Sequence, residues 1–202
     1  MAAPGDESFV AIDEGLWATF YDVPSRRFRA IRDDFVQRKF DAVSADLVTS
    51  ASYLQIESGR TAPELAERMA AVAAQMTTYA SDISNPDVTT DSLDRLFSRA
   101  HWLLAQHYLF HSRQARDANN NKLAGRYLWA MTHHLERAVL WSNLRIDRRF
   151  AGTLDDLREL ALRLQDPNDA AAARKEKPVV RAAKLLVDVG SEIDRRVALK
   201  ID

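Results

Sequence analysis

The sequence contains no cysteine, and only six of its 202 residues are glycine and six are proline. Without cysteine the chain has no disulfide bond, no thiolate metal site and no cysteine nucleophile. Six scattered glycines do not build a phosphate-binding loop or a Gly-x-Gly-x-x-Gly turn, and no Gly-x-Ser-x-Gly segment is present. These absences remove the sequence signatures of disulfide-linked domains, common nucleotide-binding proteins and serine or cysteine hydrolases.

An excess of charge of one sign is also lacking, because 28 lysines and arginines balance 29 aspartates and glutamates. The sequence therefore does not indicate a nucleic-acid partner. No apolar run approaches the length of a membrane span. The first residues have no basic region followed by an apolar stretch, so no signal peptide is expected in this chain. We expect a periplasmic location if a signal has been removed, and otherwise a cytoplasmic one.

What the sequence does contain is apolar residues at helical spacing. A long first helix is expected to begin at a Ser25 cap and to end at Gly59, a residue suited to the left-handed conformation after a helix. A capping box at Thr61-Ala62-Pro63-Glu64 predicts the start of a second helix. The polarity of residues 117–121 predicts a turn between a third helix, which starts near residue 90, and a fourth, which starts near Asn121. The fourth helix is apolar on two faces, which indicates burial on both sides or a subunit contact.

These patterns predict an all-α fold, an antiparallel helical bundle with four main helices in two hairpins, a short fifth helix and a C-terminal helix. The expected organisation has three parts. Residues 1–24 form an extended, aromatic-rich N-terminal arm that ends at Pro24, because proline disfavours helix in the residue before it. Residues 25–166 form the bundle. Residues 167–202 form a linker and an amphipathic helix that docks on the bundle.

Short runs spread over residues 17–145 carry a resemblance to a family. They are Trp17, Asp22-Val23-Pro24, Phe28, Lys39-Phe40-Asp41-Ala42, residues 51–57, residues 100–107, Leu135-Glu136 and Trp141. In these runs the sequence resembles an uncharacterised bacterial family of all-helical, often exported proteins of unknown function. The resemblance implies a periplasmic location and marks His101, His107 and Glu57 as characteristic positions. It implies no activity.

All five histidines lie on the third and fourth helices. His107 and His111 are four residues apart and share a helix face. If the hairpin turns near residues 119–120, His134 comes close to both. Three neutral imidazoles could bind zinc, copper or nickel and leave a position for water. The alternatives are a haem or other cofactor, or partly buried core histidines that hydrogen-bond to Tyr108, Tyr127, Gln106 or the backbone, and the core interpretation is favoured because the standard metal motifs are missing.

Carboxylates elsewhere have structural explanations, and a salt bridge between Glu57 and Arg60 would account for Glu57. No pairing of a nucleophile with a base is recognisable. We therefore predict a non-enzymatic helical bundle that acts by binding a protein partner or by self-association. The alternative function is a metal- or cofactor-binding bundle centred on His107, His111 and His134.

Overall fold

The computed structural model describes residues 14–144, 148–166, 168–169 and 177–198, and these residues form seven helices and no strand. In chain order the helices are α1 Glu14–Val36, α2 Phe40–Ser58, α3 Pro63–Ser81, α4 Thr90–Asp117, α5 Asn121–Trp141, α6 Arg148–Gln165 and α7 Lys177–Ala198. The prediction of an all-α fold is confirmed. Within these residues no helix combines the length and apolarity needed to cross a membrane.

Helix α4 is central, since it packs against α1, α3, α5 and α7. Apolar side chains along its whole length are buried, from Leu93 at the first turn to Ala115 at the last. Its N-terminus is closed by a capping box in which Thr89 and Ser92 exchange hydrogen bonds. The cap satisfies backbone donors that the first turn leaves without helical partners. The helix therefore provides a fixed frame for the side chains on its inner face.

Helices α4 and α5 run antiparallel, and two buried serines define their register. The Ser98 hydroxyl donates to the carbonyl of Ala138 at 2.8 Å, and the Ser112 hydroxyl donates to the carbonyl of Ala124 at 2.9 Å. Asn120 caps α5 by accepting from the backbone N–H of Leu123. The predicted start of this helix near Asn121 is therefore confirmed, and the register decides which histidines meet.

The N-terminal helices differ from the prediction in two ways. The segment 14–24 is helical rather than extended, because α1 continues through Pro24 to Val36; residues 1–13 lie outside the described part of the chain. Ser25 is not a helix cap but a buried residue inside α1. The predicted single helix from Ser25 to Gly59 is instead two helices, because the chain turns at Arg38, whose φ is 59°. The extension of α1 through Pro24 brings polar side chains of this helix onto α5.

The remaining predicted boundaries have mixed outcomes. Gly59 does follow α2, but its φ of −67° is not left-handed. The short fifth helix begins at Arg148 and not near Thr153. Most of the predicted linker falls outside the described residues. The division of the chain at residues 24 and 166 into an arm, a bundle and a docking segment stays a prediction.

Candidate functional site

A pair of histidines is buried between α4 and α5. His101 and His134 are both 0% exposed, and their Nδ1 atoms lie 2.9 Å apart. In a hydrogen bond between two neutral imidazoles, one ring donates from Nδ1 and the other accepts at Nδ1 and carries its proton on Nε2. Neither Nε2 atom has a partner. The core therefore contains one imidazole N–H donor without an acceptor, which is costly in a buried site.

The surroundings of this pair favour the neutral form of both rings. Burial holds the pKa of His101 and of His134 well below 6.5, and Arg137, together with His133 when it is protonated, lowers both further. No carboxylate contributes to either shift. A protonated ring would have no counter-ion at this position, so the pair is uncharged near neutral pH.

His107 is part of a second arrangement, at the end of α2. Its Nε2 lies 3.0 Å from Glu57 Oε2, and the two side chains are 2% and 15% exposed. Burial raises the pKa of Glu57, but the hydrogen bond from His107 and the charges of His107 and Arg60 outweigh burial and hold it below its usual value. Because an ionised Glu57 only accepts, Nε2 of His107 donates to it, and Nδ1 of the same ring has no partner. The Arg60 guanidinium is a more distant partner of Glu57, at 3.6 Å.

His111 lies at the outer edge of this second arrangement. Its ring centroid is 4.4 Å from that of His107 and 5.3 Å from that of Tyr127. Burial and the charge of His107 lower its pKa, against hydrogen bonds to the Gln114 side chain and the Arg60 backbone.

Tyr108 joins the two arrangements. Its ring stacks on His134 with an interplanar angle of 2°, and its hydroxyl lies 3.3 Å from that of Tyr53. Burial raises the pKa of Tyr53 to about 12 and also raises the pKa of Tyr108. Both phenols are therefore neutral and serve packing and hydrogen bonding. Together the residues form a continuous polar cluster within the apolar core, which we call the histidine cluster. Its members are Tyr53, Glu57, His101, His107, Tyr108, His111, Tyr127 and His134.

His133 belongs to a different contact, between α5 and α1. Its Nε2 is 2.8 Å from the hydroxyl of Ser25 and 3.2 Å from a carboxylate oxygen of Asp22. One turn earlier on α5, the Trp129 indole donates to the hydroxyl of Tyr21 at 3.0 Å. The polar contacts on this side of α5 therefore fix α1 on the bundle.

The structure does not gather the predicted metal ligands into one group. His107 and His111 are adjacent, as expected, but His134 pairs with His101. In the described part of the chain, no group of three or more histidine, aspartate or glutamate side chains could hold a metal ion. Sequence reasoning missed the roles of His101 and Tyr53. The proposed zinc, copper or nickel site at His107, His111 and His134 stays a prediction.

Comparisons with known proteins leave the family open. No protein family, curated protein or solved structure matches the chain.

Proposed function

We propose that this protein is a non-enzymatic helical protein that acts by binding, either to a protein partner or to a second copy of itself. The observation that carries the proposal is the outer face of α7. Val180 and Val187 are each 65% exposed, more than any other large apolar side chain in the described ranges. Exposed apolar side chains on one helix face are typical of a contact surface when they adjoin further apolar area.

A groove beside Val187 supplies that further area. It lies between α3, α4 and α7 and encloses about 430 Å³. Its lining includes Trp102 and Phe110, and Arg68 and Arg113 give it a basic side. The Arg68 guanidinium stacks over the Trp102 ring at 4.4 Å. Aromatic and arginine side chains are the residue types enriched at protein interfaces.

Other apolar features that suggested binding have partners inside the chain. Helix α5 is apolar on two faces because it packs against both α4 and α6. Tyr21 of the aromatic segment is bonded to Trp129. The proposal therefore places the binding surface on α7. We further propose that the scaffold is an antiparallel bundle in which α2 with α3 and α4 with α5 form two hairpins.

The histidine cluster supports a binding role better than an enzymatic one. The His107–Glu57 pair has the chemistry of an oriented base. However, His107 is only 2% exposed, so a substrate cannot reach it without movement of the surrounding helices. The other paired imidazoles, His101 and His134, are completely buried. The cluster is therefore a structural core in this proposal.

A photo-crosslinking residue at position 187 tests the proposal in cells of the native host. We expect one discrete adduct, with either a second copy of the chain or another protein. The matched control is the same residue at Val48, an exposed apolar position on α2. Equal or absent adducts from both positions would contradict an α7 binding surface.

A second candidate function is metal binding at His107, His111 and His134. Its chemical basis is the unpartnered Nδ1 of His107 and Nε2 of His134. Because these side chains do not form one ligand group in the described structure, binding a metal would require them to move. Elemental analysis of protein purified from its native host should then find about one zinc, copper or nickel ion per chain, as for a single site. The content should fall in a His134→Phe variant. Protein without bound metal would contradict this candidate.

A further inference from the structure

We infer that the outer face of α7 pairs with the same face of a second copy of this chain, with the two helices antiparallel about a twofold axis near residues 183–184. This inference rests on the proposed binding function, because it names the partner. A twofold contact uses one surface twice, so the surface must be complementary to itself. Both the apolar and the charged residues of this face meet that condition.

The apolar residues have the spacing that such a contact requires. Val180 and Val187 are seven residues apart, which is close to two helical turns, so both point the same way. With the axis near residues 183–184, Val180 of each copy lies opposite Val187 of the other. Packing at seven-residue spacing is how paired helices keep one seam in contact.

The charges have the same antiparallel symmetry. Arg181 and Lys184 lie in the first half of α7; the second half carries Asp188, Asp194 and the ion-paired Glu192 and Arg195. An antiparallel second copy places Arg181 beside Asp188, whereas a parallel copy would place Arg181 beside Arg181 and Asp188 beside Asp188. Lys184 lies next to the twofold axis, where Asp188 of its own chain, at 2.9 Å, offsets its charge. Charge complementarity therefore selects the antiparallel arrangement.

One cross-helix ion pair follows from this geometry. Arg181 and Asp188 are seven residues apart on the same flank of the helix, so Arg181 of one copy comes beside Asp188 of the other. Their partners within the chain are Asp156 at 3.2 Å and Lys184 at 2.9 Å, in solvent-exposed pairs. Exposed pairs contribute little to stability, so rearranging them costs little.

The opposite face of α7 keeps the helix in place for such a contact. Its buried stripe packs against α4 and α6 and consists of Val179, Ala182, Leu186, Val189 and Ile193. In addition, the Trp102 indole donates to the carbonyl of Leu186 at 2.8 Å. The outward face is therefore preorganised, which lowers the entropic cost of pairing.

Charge reversal combined with mixing tests the inference. In sedimentation equilibrium from micromolar to millimolar concentration, the wild-type mass should rise from 22.8 kDa towards twice that value. Arg181→Asp and Asp188→Arg should each weaken self-association at least about tenfold, because each places like charges opposite one another. An equimolar mixture of the two variants should regain association as a heterodimer. Val187→Asp should remain monomeric, and the control Val48→Asp should associate like the wild type.

Three outcomes would overturn the inference. A wild type that stays monomeric at every concentration excludes pairing, while an adduct from position 187 with another protein would still support the binding function. If the wild type associates and neither charge-reversal variant associates more weakly, the contact uses another surface. A mixture that fails to associate, although each variant folds, excludes the antiparallel register. Circular dichroism of each variant establishes folding.

Discussion

At the scale of single residues, two glycines have opposite surroundings. A Cβ on Gly190 would overlap the Trp102 ring, so α7 approaches α4 this closely only because position 190 has no side chain. Gly152 lies inside α6, and no atom that could meet an added Cβ is found within 4 Å of it in the described structure. The same substitution should therefore have opposite effects at the two positions.

We expect Gly190→Ala to lower the free energy of unfolding by about 1–3 kcal/mol, the usual cost of overpacking. We expect Gly152→Ala to raise it by about 0.5–1 kcal/mol, because alanine is the better helix former. Denaturant unfolding followed by far-ultraviolet circular dichroism measures both. Similar effects of the two substitutions would contradict the close packing of Gly190 on Trp102.

The buried histidines should make the protein sensitive to acid. Burial holds the pKa of His134 well below 6.5, whereas in the unfolded chain this histidine titrates near 6.5. Between these two values the unfolded chain binds more protons, so the stability that the neutral ring contributes is complete above pH 6.5 and is lost as the pH falls. Each such histidine adds a slope of about 1.4 kcal/mol per pH unit.

His134→Phe keeps a ring beneath Tyr108. It should reduce the change of the free energy of unfolding with pH by the contribution of one histidine. The measurement is denaturant unfolding of the metal-free protein at a series of pH values from neutral to moderately acidic. His111→Gln is the control, because His111 is half-buried and its pKa is lowered less. An unchanged pH dependence in His134→Phe would mean that this ring is not buried in its neutral form.

The sequence predicted the contact between His107 and His111 but not the pairing of His134 with His101. One geometric error explains the wrong partner for His134. The four-residue spacing correctly placed His107 beside His111. A turn centred near residues 119–120 would bring His107 level with Thr132 or His133, next to His134. The bonded pairs Ser98–Ala138 and Ser112–Ala124 instead centre the hairpin at residue 118, which brings His134 level with Trp102 and so next to His101. A shift of about two residues in the centre of the turn moves the facing residue by about four positions, because the helices run in opposite directions, and this changes the partner of His134.

At the scale of elements, the break between α1 and α2 depends on one residue with an unfavourable backbone conformation, Arg38. Three residues other than glycine have positive φ in the described structure: Arg38, Asn119 and Asn143. Asparagine adopts this conformation comparatively readily, but arginine has no such preference. The turn at Arg38 is held by hydrogen bonds from Arg38 to Phe35 and from Lys39 to Asp34.

Arg38→Gly should therefore raise the free energy of unfolding by about 0.5–1 kcal/mol, since relief of the left-handed strain exceeds the added entropy of the unfolded chain. Asn119→Gly, the matched control at a φ of 58°, should have a smaller effect. Thermal unfolding of both variants measures the difference. A destabilised Arg38→Gly would mean that the Arg38 side chain contributes more than its backbone costs.

The presence of helices was predictable, because the spacing of apolar residues determines which face of a helix is buried. The ends of helices were less predictable, because they depend on the balance between capping preferences and tertiary packing. Pro24 lies inside α1 although proline removes a backbone donor. The packing of Phe28 and Ile31, both almost fully buried, offsets that loss. At the start of α3 the predicted capping box does not form: the cap position is Ala62, and the Thr61 hydroxyl is buried without a partner. No sequence pattern reports these tertiary effects.

At the scale of the whole molecule, the helices differ in how many neighbours hold them. Helix α4 packs against four other helices, whereas α7 packs mainly against two, α4 and α6. Local opening requires the loss of fewer buried contacts at α7 than at α4. The surface proposed for binding therefore lies on the helix that is held by fewer neighbours.

Amide hydrogen exchange at low protein concentration should reflect this difference. We expect the slowest exchange in the middle of α4 and the facing part of α5, and much faster exchange in α7. Mass spectrometry of peptides from each helix provides the comparison. Equal protection of α4 and α7 would contradict the central position of α4 and indicate unfolding as a single unit.

The hydrogen bond between His101 and His134 also fixes which nitrogen of each imidazole carries the proton. Transfer of the shared proton alone would create an imidazolium beside an imidazolate, so it is unfavourable in the apolar core. Exchange of the two tautomers also requires an Nε2 proton to move, and neither Nε2 has a hydrogen-bond partner through which it could leave. The tautomer of each ring is therefore set when the core closes and persists until the core opens. Nitrogen NMR would observe two inequivalent imidazoles, and the rate at which they interchange would be the rate at which α4 and α5 separate.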